Sequence, residues 1–256
     1  MHGMFEHEFE VHFTLKSIPQ IKLSFEGSVK IDDFELEEKE GKIAGKTSIS
    51  IDSNDPALAK RQASNKIEEL AMILTLIFGT AYEIDDLNVI HKPIIEKSEA
   101  RQIVSVFDTV GVSENIVIIK KHSGEFLKEQ YNIWRDRLHK SRDKEHLIRA
   151  LKWWRRGALD EDKVDRFLHY WITLEILASI LKKDLKKEFE EFCNEVGVTC
   201  KPDGQHSLKW IRNELLHGPG EDKEKAEELA KKYADTFGNE IFRAIKKIVE
   251  SRTLNT

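Results

Sequence analysis

Apolar and polar residues alternate along the first part of the chain. Within residues 5–15 nearly every second position is apolar, which is typical of a strand that buries one face. The same period returns in residues 21–25, 29–31 and 43–51, so further strands are predicted there. The charged residues 37–41 predict a solvent-exposed turn before the last of these strands.

A helical period replaces this alternation after residue 53. Residues 54–56 provide an N-cap and a first turn, and the apolar positions that follow predict a helix to Phe78, ended by Gly79. Strand-like segments then recur at residues 82–84, 89–90, 103–106 and 116–119. We therefore expect a β-rich domain over residues 1–119 with one long packing helix. Its sequence assigns it no role beyond sensing, assembly or substrate positioning.

The second part of the chain has helical periodicity throughout. Helices are predicted near residues 124–140, 143–156, 161–182, 184–196, 205–217 and 222–250. We expect them to pack as a bundle of five or six helices over residues 120–256. The predicted fold class is α+β, with a β-rich domain followed by an all-helical one.

Charge is distributed unevenly between these two parts. Residues 1–119 carry 12 Lys and Arg against 21 Asp and Glu, whereas residues 120–256 carry 29 against 25. Contact with a nucleic acid is therefore expected in the second part. No block of basic residues is dense enough to predict tight non-specific binding, which favours transient engagement of RNA.

The sequence predicts a cytoplasmic protein with no metal and no cofactor. It has two cysteines, no apolar run of membrane-spanning length and no basic N-terminus followed by an apolar stretch. Cys193 and Cys200 lack the spacing of a zinc site, which leaves structural thiols or a disulfide. His7 and His12 fall on opposite faces of the first strand, so they are not expected to share a metal.

The richest candidate chemistry lies where the helix over residues 205–217 ends. Asn213 and His217 are four residues apart, so the amide can hydrogen-bond the imidazole. Arg212 lies about 140° round the helix from His217 and about 7.5 Å along it, within reach of a long side chain. Alternatively, the histidine only caps the helix and Arg212 pairs with Glu214 or a neighbouring helix.

An imidazole beside a guanidinium suits cleavage of a phosphodiester without a metal. The histidine can move the proton of a ribose 2′-hydroxyl, and the arginine can hold the charge that gathers on the phosphate. Such a reaction leaves a 2′,3′-cyclic phosphate, resists EDTA and spares DNA. Arg212, His217 and Asn213 are the predicted catalytic residues, with Asn213 orienting one of the other two.

A supporting role is predicted for Glu175, because the helix around it is apolar almost all the way round. A buried carboxylate needs a partner, and Arg212 is the one expected; a purely structural pair or an edge-exposed Glu175 remains open. Trp153, Arg155 and Arg156 combine aromatic surface with cations, as sites that stack bases and hold phosphates do. The alternative is one tryptophan in the core beside solvated arginines.

Three segments in this order resemble the HEPN superfamily. They are the sequence from Arg212 to His217, the upstream Leu151–Gly157 stretch, and Asp165–Phe167 followed by Trp171–Glu175. The resemblance covers about residues 120–250 and is closest to the Apea-like and methylamine-utilisation-J-like branch. It implies a metal-independent endoribonuclease, often a toxin or defence effector, with paired active sites across a homodimer.

The same resemblance allows a second interpretation, because some members of the superfamily have lost catalysis. The chain would then be a nucleotide-binding or protein-assembly module. RNA or a nucleotide is the expected ligand, no membrane is expected, and an antitoxin or regulatory partner is compatible with either interpretation.

Overall fold

The structure is a computed structural model that describes residues 7–18, 21–25, 27–39, 41–92 and 117–253. These residues form seven strands and seven helices: β1 His7–Ile18, β2 Ile21–Phe25, β3 Ser28–Ile31, β4 Phe34–Lys39, β5 Lys42–Ile51, α1 Pro56–Phe78, β6 Ala81–His91, β7 Val117–His122, α2 Gly124–Lys140, α3 Lys144–Leu159, α4 Lys163–Leu181, α5 Phe189–Val196, α6 Leu208–His217 and α7 Gly220–Thr253. The predicted α+β class is confirmed. None of the described helices is long and apolar enough to cross a membrane.

Five of the strands form one sheet in the order β3-β4-β5-β1-β6. Strands β1 and β5 pair antiparallel from His7 opposite Ile51 to Lys16 opposite Lys42. The alternation along β1 has its predicted consequence, because every second side chain is buried on one face: Phe9, Val11, Phe13 and Leu15. Strands β2 and β7 form a separate parallel pair.

The turn predicted at residues 37–41 was placed too early. Phe34–Lys39 is strand β4, and Gly41 follows in a left-handed turn with φ of 80°. Phe34 and Leu36 are buried, whereas Glu35 and Glu37 face solvent. The charged residues on the exposed face of β4 therefore made its two buried positions hard to recognise from the sequence.

The first part of helix α1 packs beside the sheet. Ala59, Ala63, Ile67 and Leu70 form its buried stripe, with the spacing of one helix face. Lys66 ties the helix to the strands, because its ammonium group donates to the Ser48 carbonyl at 2.8 Å and to the Asp33 carboxylate.

The chain divides into two compact units. One unit contains residues 1–70 and 83–128, and the other contains residues 71–82 and 129–256. The end of α1 joins the helical unit because it is buried on more than one face, at Ala71, Met72, Ile73, Leu74 and Leu76. The segments predicted at 82–84 and 89–90 form the single strand β6, and the strand predicted at 103–106 lies outside the described residues.

Helices are found at all six positions predicted for the second part of the chain, as α2 to α7. The largest shift is at α5, which begins at Phe189 instead of residue 184. Helix α4 stops at Lys182, which has the left-handed φ of 57°. In the turn that follows, Asp184 accepts a bond from the Lys186 amide at 2.9 Å.

Tyr170 of α4 lies in a notch between two glycines. A Cβ atom on Gly157 of α3 would come within 2.8 Å of the tyrosine ring, and one on Gly238 of α7 within 2.3 Å. The notch lets α3 and α7 approach α4 closely. Trp154 reinforces it, because its indole N–H donates to the Gly238 carbonyl at 2.7 Å.

Replacing Gly238 with alanine should lower the melting temperature. Overpacking costs about 1–3 kcal/mol, against the roughly 1 kcal/mol that alanine gains in a helix. The Gly238→Ala loss should shrink in a Tyr170→Leu background, since the ring that the methyl group meets is gone. Equal losses in both backgrounds, measured by thermal unfolding, would contradict the notch.

Candidate functional site

Helix α6 carries the predicted catalytic residues, and its ends are set by local hydrogen bonds. The Ser207 hydroxyl accepts from the Trp210 amide at 3.0 Å and caps the start of the helix. Leu208, Ile211 and Leu215 are buried. The helix ends at His217, as predicted. The Gly218 amide closes its last turn on the Glu214 carbonyl at 2.9 Å.

Arg212 lies at the surface with three groups around its guanidinium. Its Nη1 donates to Asn213 Oδ1 at 3.1 Å. Its Nη2 lies 3.9 Å from Glu175 Oε1, at the outer limit of an ion pair. Its Cζ is 6.0 Å from the centre of the Trp171 ring. About 30% of the Arg212 side chain remains exposed, so the cation is partly restrained and still accessible.

Glu175 belongs to α4 and lies at the edge of the bundle. Its side chain is 44% exposed, so the expectation of a buried carboxylate is wrong, and the edge-exposed alternative describes its position. The expected partner Arg212 is present at the long distance given above. A much shorter contact comes from the Trp171 indole N–H, which donates to Glu175 Oε1 at 2.7 Å.

Trp171 is the residue of this site that the sequence analysis missed. It is buried and lies four residues before Glu175, which places the two on one helix face. That spacing was the available signal, but an aromatic residue in an apolar helix is also ordinary core. Its ring packs on Phe189 with centroids 5.7 Å apart, so α5 helps to fix the indole that holds the carboxylate.

His217 is exposed at the end of α6. Its ring makes no hydrogen bond or ion pair within the part of the chain that the structure describes. The predicted bond from Asn213 to this imidazole is not formed, and the amide oxygen of Asn213 accepts from Arg212. Asn213 therefore orients the arginine, while the imidazole is open to a ligand from solvent.

The three residues predicted to bind RNA lie in different environments on helix α3. Arg155 does not fit that role, because its side chain is only 4% exposed and donates to the Tyr82 carbonyl. Arg156 is exposed and Trp153 is half-buried, and the Arg156 Cζ lies 4.8 Å from the centre of the Trp153 ring. The centre of the His169 ring lies 5.5 Å from the centre of the Trp153 ring.

The two cysteines are free thiols. Burial raises the pKa of Cys193 strongly and also raises the pKa of Cys200, so neither is suited to act as a thiolate nucleophile. In the described ranges, no group of three or more His, Cys, Asp or Glu residues could hold a metal ion.

No family model matches the chain, and neither a curated protein nor a solved structure matches it. Membership of the HEPN superfamily thus stays a prediction that rests on the three sequence segments quoted above.

Removing the Glu175 carboxylate should change the environment of the Trp171 indole N–H. In Glu175→Ala the proton loses its acceptor, so its amide-region NMR resonance should move upfield. The Trp154 indole, bonded to the Gly238 carbonyl, should stay in place. Glu214→Ala on α6 serves as a matched control, and Trp171→Phe assigns the peak. An unmoved Trp171 resonance in Glu175→Ala would show that this hydrogen bond is absent.

Proposed function

We propose that the chain is a metal-independent endoribonuclease of HEPN type that cleaves RNA through the 2′-hydroxyl. The observation that carries the proposal is the presence of a restrained cation and an open imidazole on one helix, α6. Arg212 is held by Asn213, and Glu175 and Trp171 lie beside it. His217 lies exposed five residues further on.

His217 and Arg212 have separate roles in the proposed reaction. His217 takes the proton of the 2′-hydroxyl, whose oxygen attacks the adjacent phosphorus. The 5′-oxygen of the next nucleotide leaves and takes up a proton, and the product ends in a 2′,3′-cyclic phosphate. Arg212 stabilises the charge on the phosphate oxygens. A planar guanidinium suits this task because it presents two parallel donors to a phosphate.

Glu175 supports the reaction as a positioning residue. It shares the cation of Arg212 only weakly, since their nearest atoms are 3.9 Å apart and both side chains are partly exposed. The arginine therefore retains charge and donors for a phosphate. Trp171 keeps the carboxylate on the Arg212 side through its hydrogen bond.

Trp153 and Arg156 are proposed to bind RNA away from the scissile bond. The exposed part of the half-buried Trp153 indole can stack on a base, and the neighbouring guanidinium can contact a phosphate. The arrangement on α3 already brings the cation to 4.8 Å from the ring centre.

A non-catalytic nucleotide-binding or protein-assembly module is the second candidate. The observation that favours it is Leu216, whose side chain is 48% exposed beside His217 and would be covered by another protein surface. A homodimer through the helical domain would cover it, as would an antitoxin or regulatory partner. A role as a toxin or defence effector belongs to the ribonuclease proposal.

The ribonuclease proposal predicts that His217→Ala and Arg212→Ala each reduce cleavage strongly. The loss of a general base costs about 10²–10⁴-fold, and the loss of a phosphate-stabilising donor about 10²–10³-fold. Purified proteins are incubated with a labelled structured RNA in EDTA, and rates are measured. His206→Ala is the matched histidine control and should cleave at the wild-type rate.

An unchanged rate in His217→Ala would overturn the assignment of the histidine. Absence of cleavage by wild type, combined with loss of nucleotide affinity or of dimerisation in Arg212→Ala, would favour the second candidate.

Arg156→Ala and Trp153→Ala should weaken RNA binding. The stacked base is worth about 1–3 kcal/mol, so Trp153→Ala should raise the Kd at least several-fold. Fluorescence anisotropy measures this with the His217→Ala protein, in which the RNA stays intact. Arg243→Ala removes an exposed arginine of α7 and should change the Kd less. Equal effects of Arg156→Ala and Arg243→Ala would show that only net charge matters.

A further inference from the structure

Two histidines from neighbouring strands meet on the sheet of the β-rich unit. His7 begins β1 and His91 ends β6. The two strands are adjacent, although 84 residues separate the histidines along the chain. Nδ1 of His7 lies 3.3 Å from Nε2 of His91, and the ring centres are 5.4 Å apart.

We propose that this pair binds a divalent transition-metal ion through its two facing nitrogens. Neutral imidazole is the common nitrogen ligand of zinc, nickel and copper. Two ligand atoms that each lie 2.0–2.1 Å from a tetrahedral zinc are about 3.3–3.4 Å apart. The observed separation has that value, so the two nitrogens, which now share a hydrogen bond, already lie at the distance that one ion requires.

Among the residues that the structure describes, the imidazoles of His7 and His91 are the proposed ligands at this position. The His7–His91 contact lies at the exposed surface. The buried Phe9 ring lies 4.8 Å from the ring of His91 and limits its movement. Glu8 is engaged with Lys92 at 2.7 Å. Water would complete the coordination.

The site differs from the one that the sequence analysis rejected. His7 and His12 occupy opposite faces of β1 and are therefore not placed to share a metal. The second ligand comes instead from β6, and only the strand order brings it near. The site is separate from the Arg212 and His217 chemistry, which uses no metal.

Calorimetric titration with zinc chloride tests the proposal on the full chain after removal of metals with EDTA. Wild type should bind one ion per chain. Loss of an outer-shell partner of a metal ligand already costs about 10–100-fold in affinity, so His7→Gln and His91→Gln should each weaken binding by tenfold or more. His12→Gln, on the same strand, is the matched control and should bind as wild type does.

Paramagnetic nickel provides a second measurement that does not depend on the variants. Substoichiometric nickel chloride should broaden the imidazole NMR signals of His7 and His91 before those of His12. Zinc affinity that is unchanged in both variants, broadening that spares His7 and His91, or no binding by wild type at millimolar zinc would each overturn the proposal. Circular dichroism confirms that each variant is folded.

Discussion

The hydrogen bond from the Trp171 indole to Glu175 fixes the carboxylate beside the candidate site. The carboxylate projects from α4, a helix whose neighbouring residues are almost all buried. A charge at the edge of an apolar core is tolerated when it is hydrogen-bonded, and here the Trp171 indole supplies the bond. The indole is itself fixed by Phe189 of α5. Core packing thereby determines where a negative charge reaches the surface beside the guanidinium of α6.

The ion pair between Arg212 and Glu175 contributes little to the free energy of unfolding. Its effect is on the orientation of the two side chains. Ion pairs between partly exposed side chains contribute about 0–1 kcal/mol, and Arg212 and Glu175 approach only to 3.9 Å. In a tighter ion pair, Glu175 would occupy the N–H donors of Arg212 that a phosphate requires. The imidazole of His217 has no such restraint within the described residues. The site therefore combines a preoriented cation with an acid–base group that a bound substrate would have to position.

Sequence periodicity predicted elements better than it predicted partners. The alternation in β1 and the stripe of α1 follow from local repeats, and so does the end of α6 at His217. Strand β4 was missed because acidic residues flank Phe34 and Leu36. One continuous helix, α1, contributes residues to both compact units, which no local repeat indicates. The burial of Arg155 depends on its acceptor, the Tyr82 carbonyl, which is remote in sequence. Contacts of that kind leave no local pattern.

The most direct test of the central claim uses two versions of one RNA that differ only by a 2′-deoxy ribose at the mapped cleavage position. Wild-type protein is incubated with each in EDTA, and the new ends are identified. The account predicts cleavage of the unmodified RNA with a 2′,3′-cyclic phosphate end, and no cleavage of the modified RNA at that position. Cleavage of the 2′-deoxy version at the same position, a 3′-hydroxyl end, or failure to cut either RNA would contradict it.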